Sequence, residues 1–361
     1  MRIDAPFVSS SDWRRSWLTA FPCDLPSTVP YPQAPLSCLL RHTARRLPEH
    51  PACTLYGQAT SYAALDDQAH RLATALRDLG ARPGRHIGLL LPNIPEYLVA
   101  LQAVWLTGAT ALQLSPLMVA EEIDHWIEAT ECHLVVTLDL LAPMVMGSFQ
   151  RGPLEHVVLT SLARRMAVWR GLLYCIERLR RNGYLRMPDD AHRHPFERLL
   201  QADPLTTPVD VDPAEAVAVV APTGGTTAAS KAVMLTHRNL IANAMQLRDW
   251  YGGADGEQAV LAVLPFFHAY GLTVSLVSAW AGSCTMHLHP PSRRGRRWRS
   301  CTHPPPAADA GRPGHPGDQP GGRVERLTCR CSPSSPARRR CTRPSARLRQ
   351  PASAPSSRVT G

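Results

Sequence analysis

Lysine is nearly absent from this sequence. Of 39 lysine and arginine residues in 361, Lys231 is the only lysine. Such a skew, with abundant alanine and proline, fits a GC-rich gene, and it raises the question of why arginine would not serve at position 231. Acidic residues are scarce in one place only. Residues 291–361 carry 16 arginines against Asp309, Asp318 and Glu325, whereas residues 1–290 carry 23 basic and 26 acidic residues. The formal charge of +10 therefore belongs to the tail. A basic nucleic-acid binder is excluded as a description of the whole chain. The ten cysteines include no C-x-x-C pair. This excludes a disulfide framework and predicts scattered reduced thiols in a cytoplasmic protein. His303, His315, Cys329, Cys331 and Cys341 lack metal-ligand spacing, so no zinc site is predicted. The first 17 residues lack the apolar run of a signal peptide. Trp298 is the only aromatic residue in the tail, which argues against a stacking platform for bases.

What is present is a regular body between two irregular segments. Residues 1–34 hold Pro6, Pro22, Pro26, Pro30 and Pro32 and read as an extended lead. Residues 35–290 form the folded domain. The Arg/Pro-rich stretch 291–361 holds 12 of the 34 prolines and cannot bury enough apolar surface to offset chain entropy, so it is predicted to be disordered. Within the body, Leu36–Leu47 repeats at helical spacing. Ala52–Tyr56 and Ala59–Tyr62 flank a Gly57-Gln58 turn. Ser61 caps a helix closed by Gly80. Short apolar strands then alternate with helices: His86–Leu91, Ala111–Leu114, Leu134–Leu138 and Val157–Thr160 around helices Ile94–Leu106 and Val119–Ala129. This pattern predicts an α/β fold of parallel strands covered on both faces.

Two segments admit two readings each. Ala163–Arg181 is a basic amphipathic helix with Trp169, Leu172, Leu173, Ile176 and Leu179. It can lie on a membrane surface or dock on its own protein, and docking is favoured. Ala259–Met286 contains no charged residue and is long enough to cross a bilayer. Pro265, His268 and Gly271 interrupt it, so a strand (Ala259–Leu264), a turn and an apolar helix (Ala269–Ala281) are favoured. The strand Cys284–His289 is expected at an open sheet edge. The acidic pairs Asp66-Asp67, Glu121-Glu122 and Asp189-Asp190 read as solvated surface rather than acid–base pairs.

The most informative stretch is Val217–Leu240. A buried strand enters a Thr/Gly-rich loop, then Lys231, a second strand and a helix. Gly224 and Gly225 permit close backbone approach to a ligand. Thr223, Thr226 and Thr227 supply hydroxyls, and Lys231 adds a point charge. The Walker spacing is absent, because Lys231 lies between Ser230 and Ala232. By composition alone, an ordinary turn remains open.

In order, however, Thr223-Gly224-Gly225-Thr226-Thr227, Lys231 and Met234-Leu235-Thr236-His237-Arg238-Asn239-Leu240 resemble the phosphate loop of the adenylate-forming superfamily. Fatty acyl-CoA synthetases are the most similar branch. Leu264–Leu272, with His268, resembles the next motif of that family. Ser61–Gly80 and Ile87–Tyr97, with Leu91-Pro92-Asn93, resemble its N-terminal region. The resemblance runs from about Leu36 to His289 and implies the N-terminal large-domain fragment of the acyl-CoA synthetase fold. It further implies ligation of a fatty or other carboxylic acid to coenzyme A through an acyl-adenylate, with ATP, Mg and coenzyme A. Thr223, Gly224, Gly225, Thr226, Thr227 and Lys231 would then meet the ATP phosphates. His268 would stand at the acyl and adenylate pocket, the other reading being a buried turn histidine satisfied by backbone. No residue is assigned to the metal. Ala228 and Ala232 replace glycines of the family pattern and Pro222 replaces a common tyrosine, which implies weaker nucleotide binding.

The family's later motifs comprise a Mg-binding acidic residue, a ribose-binding aspartate, a hinge and a catalytic lysine. None is recognisable here. Two readings of the whole follow. One is an inactive synthetase truncated or frame-shifted after about residue 290, cytoplasmic or peripherally membrane-associated. The other is a non-catalytic remnant whose Arg-rich tail binds nucleic acid or anionic membrane non-specifically. The first is favoured, because the tail has neither repeats nor interleaved aromatics.

Overall fold

The computed structural model describes residues 29–185, 187–223 and 231–289. The disorder predicted for 291–361 and most of the 1–34 lead lie outside the described residues. Helix α1 (Ser37–Arg46) buries Leu39, Leu40 and Ala44 and is followed by the hairpin β1 (Pro51–Leu55) and β2 (Gln58–Ser61). The hairpin turns at Tyr56 and Gly57, both left-handed, with φ of 52° and 83°. Two positive φ values in succession give the primed turn whose twist matches paired strands. The Ser61 hydroxyl accepts from the Ala64 N–H and starts α2 (Tyr62–Asp78). Gly80, at φ 95°, ends that segment.

The chain then alternates. β3 (His86–Leu90), α3 (Pro95–Leu106), β4 (Thr110–Gln113), α4 (Ala120–Ala129) and β5 (Leu134–Leu138) come first. Then follow α5 (Met146–Arg151), β6 (His156–Thr160), α6 (Val168–Asn182), β7 (Arg193–Pro195) and α7 (Phe196–Leu199). β8 (Val217–Thr223), β9 (Lys231–Thr236), α8 (His237–Tyr251) and β10 (Ala259–Ala262) carry the chain to a π-helical stretch, Gly271–Val277. That stretch runs on as α9 (Ser278–Ala281) and leads to β11 (Thr285–Leu288). Among the described residues no helix is long and apolar enough to cross a membrane. The strand–turn–helix reading of 259–281 therefore holds.

Two sheets result. The larger has the order β7-β6-β5-β3-β4-β8-β9. Its pairings are parallel except for the antiparallel β8–β9 pair. Its core strands are apolar on both faces. Leu134 and Val136 enter one hydrophobic cluster, while Val135 enters the other beside Ile123 and Ile127. Alternate residues thus serve two helical layers, which is why the strands read as solid apolar runs. Helix α3 is buried along its whole length. It packs on α1 and α2 and reaches strands of both sheets. Trp105 donates from Nε1 to the Ala218 carbonyl at 3.0 Å and meets Trp280 edge-on at 6.1 Å.

The smaller sheet has the order β10-β11-β1-β2, and it corrects the edge expectation. β11 is an interior strand, parallel to both β1 and β10. Met286 is opposite Cys53 on one side and Val260 on the other. The chain therefore returns some 230 residues later to the N-terminal hairpin, a pairing that local periodicity does not encode.

Helix α6 follows the favoured docking reading, with a face that periodicity does not specify. It does dock on the body, but through its polar side. Tyr174 and Arg178 are buried, while Trp169, Leu172, Leu173, Ile176 and Leu179 are exposed.

Candidate active site

The candidate residues fall at the ends of strands in both sheets. β8 is apolar and buried from Ala218 to Ala221, between β4 on one side and β9 on the other. Its pairing with β4 covers Val219 and Val220, whereas its pairing with β9 runs on to Pro222 opposite Ala232 and Thr223 opposite Lys231. The last residues of β8 thus have one neighbouring strand instead of two. A proline at 222 is tolerated there, because no second strand requires its N–H. The Thr223 hydroxyl donates to the Lys231 carbonyl at 3.0 Å and latches the two strand ends together. Lys231 itself is exposed. Gly224, Gly225, Thr226 and Thr227 lie outside the described residues.

Ala232 occupies a regular strand position and is not among the left-handed residues. Its Cβ therefore meets no left-handed backbone there. β9 is the edge of its sheet among the described residues and leaves Val233 and Met234 exposed.

Beyond β9 the Thr236 hydroxyl accepts from the Asn239 N–H, and Asn239 Oδ1 accepts from the Thr236 N–H at 3.0 Å, a reciprocal cap on α8. His237 begins that helix and is buried. Its Nδ1 accepts the Leu36 N–H at 3.1 Å, its ring stands edge-on to Trp105, and burial pushes the imidazole down to about 4. The histidine of the Thr236-His237-Arg238-Asn239 motif thus clamps the start of α1 to α8.

His268 is approached from the smaller sheet. The segment after β10 hangs on the Asn93 side chain, which is buried. Asn93 Nδ2 donates to the carbonyls of Ala262 at 3.0 Å and Leu264 at 2.8 Å, while Oδ1 accepts the Phe266 N–H at 3.0 Å. The Tyr97 hydroxyl lies 2.5 Å from Gln113 Oε1 and 3.1 Å from the Phe266 carbonyl, with the two rings 5.4 Å apart. Gly271 is fixed by space: a Cβ there would lie 2.1 Å from the Pro265 carbonyl oxygen. The turn therefore closes against the first residue of the π-helical stretch, a form often found at functional sites.

His268 emerges from this clamp exposed, with Nδ1 accepting the Tyr270 N–H at 3.3 Å. The alternative of a buried turn histidine is thereby corrected: backbone does satisfy one nitrogen, but the ring is not buried. Asn93 and Tyr97 were legible only as part of a resembling segment. Their role as clamps on the His268 turn has no local sequence signal, since it joins residues about 170 positions apart. Among the described residues no group of three His, Cys, Asp or Glu side chains could hold a metal ion.

The strand–loop–strand that ends in Thr223 and resumes at Lys231, and the turn that carries His268, are the two segments bearing the sequence motifs. A model of the family described as AMP-binding enzyme matches residues 40–304. The chain is 30% identical over 263 residues to a long-chain-fatty-acid–CoA ligase of Bacillus subtilis, covering 72% of this chain and 47% of that one. It is 26% identical over 274 residues to the enzyme of that name from Salmonella typhimurium, covering 73% and 48%. Among solved structures, a long-chain-fatty-acid-CoA ligase from Archaeoglobus fulgidus superposes with a TM-score of 0.60 at 20% identity, covering 74% of this chain and 49% of that one. The chain belongs to the AMP-binding enzyme family. It spans about half the length of the curated relatives it matches.

Proposed function

We propose that this chain carries the ATP-phosphate site of an AMP-forming acid–CoA ligase whose acid is a fatty acid. In that reaction a carboxylate oxygen attacks the α-phosphorus of ATP and displaces pyrophosphate. The thiol of coenzyme A then attacks the acyl carbon and releases AMP. Residues 35–290 are the adenylate-forming unit. Gly224, Gly225, Thr226, Thr227 and Lys231 bind phosphate oxygens through two threonine hydroxyls, loop N–H groups and one ammonium, while Thr223, whose hydroxyl donates to the Lys231 carbonyl, fixes the strand ends from which they reach. Fixed donors of this kind stabilise charge that develops on phosphorus and its leaving group. His268 faces the acid and adenylate. The observation that most supports this reading is the register of Thr223 opposite Lys231 across the Gly/Thr-rich connection. The only lysine of the chain is held at its mouth.

Magnesium accompanies ATP in such reactions, but the described residues offer no ligand cluster for it. No residue is assigned to the metal and no step is routed through it.

Titration calorimetry with Mg-ATP tests the site. Lys231→Ala should weaken binding by about 1.5–3 kcal/mol, the range of a charge-assisted contact. Equal affinities would remove Lys231 from the site. We further propose that the 361-residue chain, assayed by itself with fatty acids, ATP, Mg and coenzyme A, releases no pyrophosphate and forms no thioester. The family's catalytic lysine has no candidate in a sequence whose single lysine already serves the phosphates. Turnover within about a hundredfold of the common enzyme median near 10 per second would overturn that statement.

A further inference from the structure

Helix α6 is attached to the protein the wrong way round for a soluble surface helix. Its inward side is polar. The buried Arg178 guanidinium donates to the fully buried Asp139 carboxylate at 3.0 Å. The Tyr174 hydroxyl donates to the other Asp139 oxygen, and Asn182 Nδ2 donates to the Asp139 carbonyl. Positions 174, 178 and 182 recur every fourth residue and so share one face. With its polar face fixed to this single acidic hub, the apolar face has to point outward. Val168 (91% exposed), Trp169 (60%), Leu172 (62%), Leu173 (57%), Ile176 and Leu179 all lie in solvent. At 3.6 residues per turn they fill an arc of about 140°. Scattered exposed hydrophobics are ordinary, but a continuous stripe of six is not.

The flanks of the stripe are cationic. Arg164, Arg170, Arg180 and Arg181 are exposed beside it, with the Arg170 guanidinium 4.9 Å above the Trp169 ring. Glu177 is the only carboxylate on the helix, and it already holds Arg181 at 2.5 Å. Tyr56, at the tip of the β1–β2 hairpin, is a further exposed aromatic residue.

We propose that the outward face of α6 is a membrane-docking surface, seated in the headgroup layer of an anionic bilayer with Trp169, Leu172, Leu173 and Ile176 in the acyl boundary. The charge pattern selects this occupant. A second copy docked face to face would set one arginine fringe against another, and the face offers no free carboxylate to pair with it. An anionic lipid surface neutralises the fringe, while its interior takes the apolar stripe. The surface is independent of the nucleotide loop and needs neither ATP nor acid.

The test is flotation of the full chain with vesicles of phosphatidylcholine, with and without about one third phosphatidylglycerol. The Arg-rich 291–361 segment can itself attract anionic vesicles, so each measurement is repeated at about 0.5 M salt, where surface charge is screened within a few ångströms. The parent is expected to bind anionic vesicles at low salt and to retain part of that binding at high salt. Leu172→Asp combined with Ile176→Asp should abolish the salt-resistant part, raising the dissociation constant by about tenfold or more. The thermal midpoint should stay unchanged, because both side chains are exposed. Should the double variant fail to fold, Trp169→Ser provides the same comparison with a neutral change. Salt-resistant binding that survives these substitutions, or its absence from the parent, overturns the proposal. So does a parent dimer that the same variant converts to monomer with vesicle binding unaltered.

Discussion

At the scale of single residues, His237 carries a measurable pH dependence. Its ring is buried, neutral and occupied at Nδ1 by the Leu36 N–H. In the unfolded chain a histidine takes a proton near pH 6.5, whereas in the fold this one does so at about 4. The unfolded state therefore binds more protons between these values, and stability rises with pH across that window. The contribution is complete above about pH 6.5 and is lost as pH falls toward 4. That gap corresponds to about 3 kcal/mol. His156 and His194, whose rings meet at 3.3 Å, are also held down, first by burial and then by neighbouring imidazole charge, that of His192 on His156 and that of His156 on His194, and act in the same direction. Urea unfolding at a series of pH values should show His237→Gln less stable than the parent at pH 7 but with a flatter profile below 6.5. An unchanged slope would assign the acid sensitivity to the other histidines. None of this was legible beforehand, because the motif spelling says that a histidine is present but not which backbone group reaches its ring.

At the scale of elements, local signals were strong where they depended on neighbours in sequence. Ser61 as cap, Gly80 as stop and the hairpin around Gly57 follow from side-chain donors and left-handed φ, which act over a few residues. The face that a helix buries was a different matter. Periodicity marks α6 as amphipathic but cannot say that Asp139 lies waiting for Arg178. The turn before His268 is likewise held from afar. Asn93→Ala would strip partners from three backbone groups and should cost on the order of 2–4 kcal/mol, each orphaned group adding its desolvation penalty. Its signature is local: amide exchange at Phe266 should accelerate more than exchange at β4. Gly271→Ala tests the same turn from the other side. With its Cβ forced to 2.1 Å from the Pro265 oxygen, backbone must move, at an expected cost of about 1–3 kcal/mol. A Gly271→Ala variant as stable as the parent would show that the turn has slack, and that the glycine serves something other than packing.

At the scale of the whole molecule, the smaller sheet is closed by contacts between the first and last parts of the body. Tyr62 donates to the Cys284 carbonyl at 2.8 Å, and Thr285 donates to the Pro51 carbonyl at 2.8 Å. Thr54 meets His287 Nδ1 at 2.7 Å, and Thr43 meets Ser283 at 2.9 Å. The parallel core of the larger sheet could be read from alternating strands and helices. The smaller sheet could not, because β11 inserts between β1 and β10 by pairing over more than 200 positions, and a strand carries no address for so distant a partner. Such pairings close large loops before they are repaid, which makes them late and cooperative steps in folding. Met286 is the centre of this closure: it is fully buried and pairs on both sides. Met286→Ala should therefore cost about 2–5 kcal/mol, the range for a buried side chain that leaves a cavity. If α3, buried against both sheets, makes them one cooperative unit, native-state exchange should show β1, β10, β3 and β5 losing protection by the same free energy. Loss confined to β1, β2 and β10 would instead define the smaller sheet as a separate unit of unfolding. The His268 turn would then open with it while the strands bearing Thr223 and Lys231 stay closed.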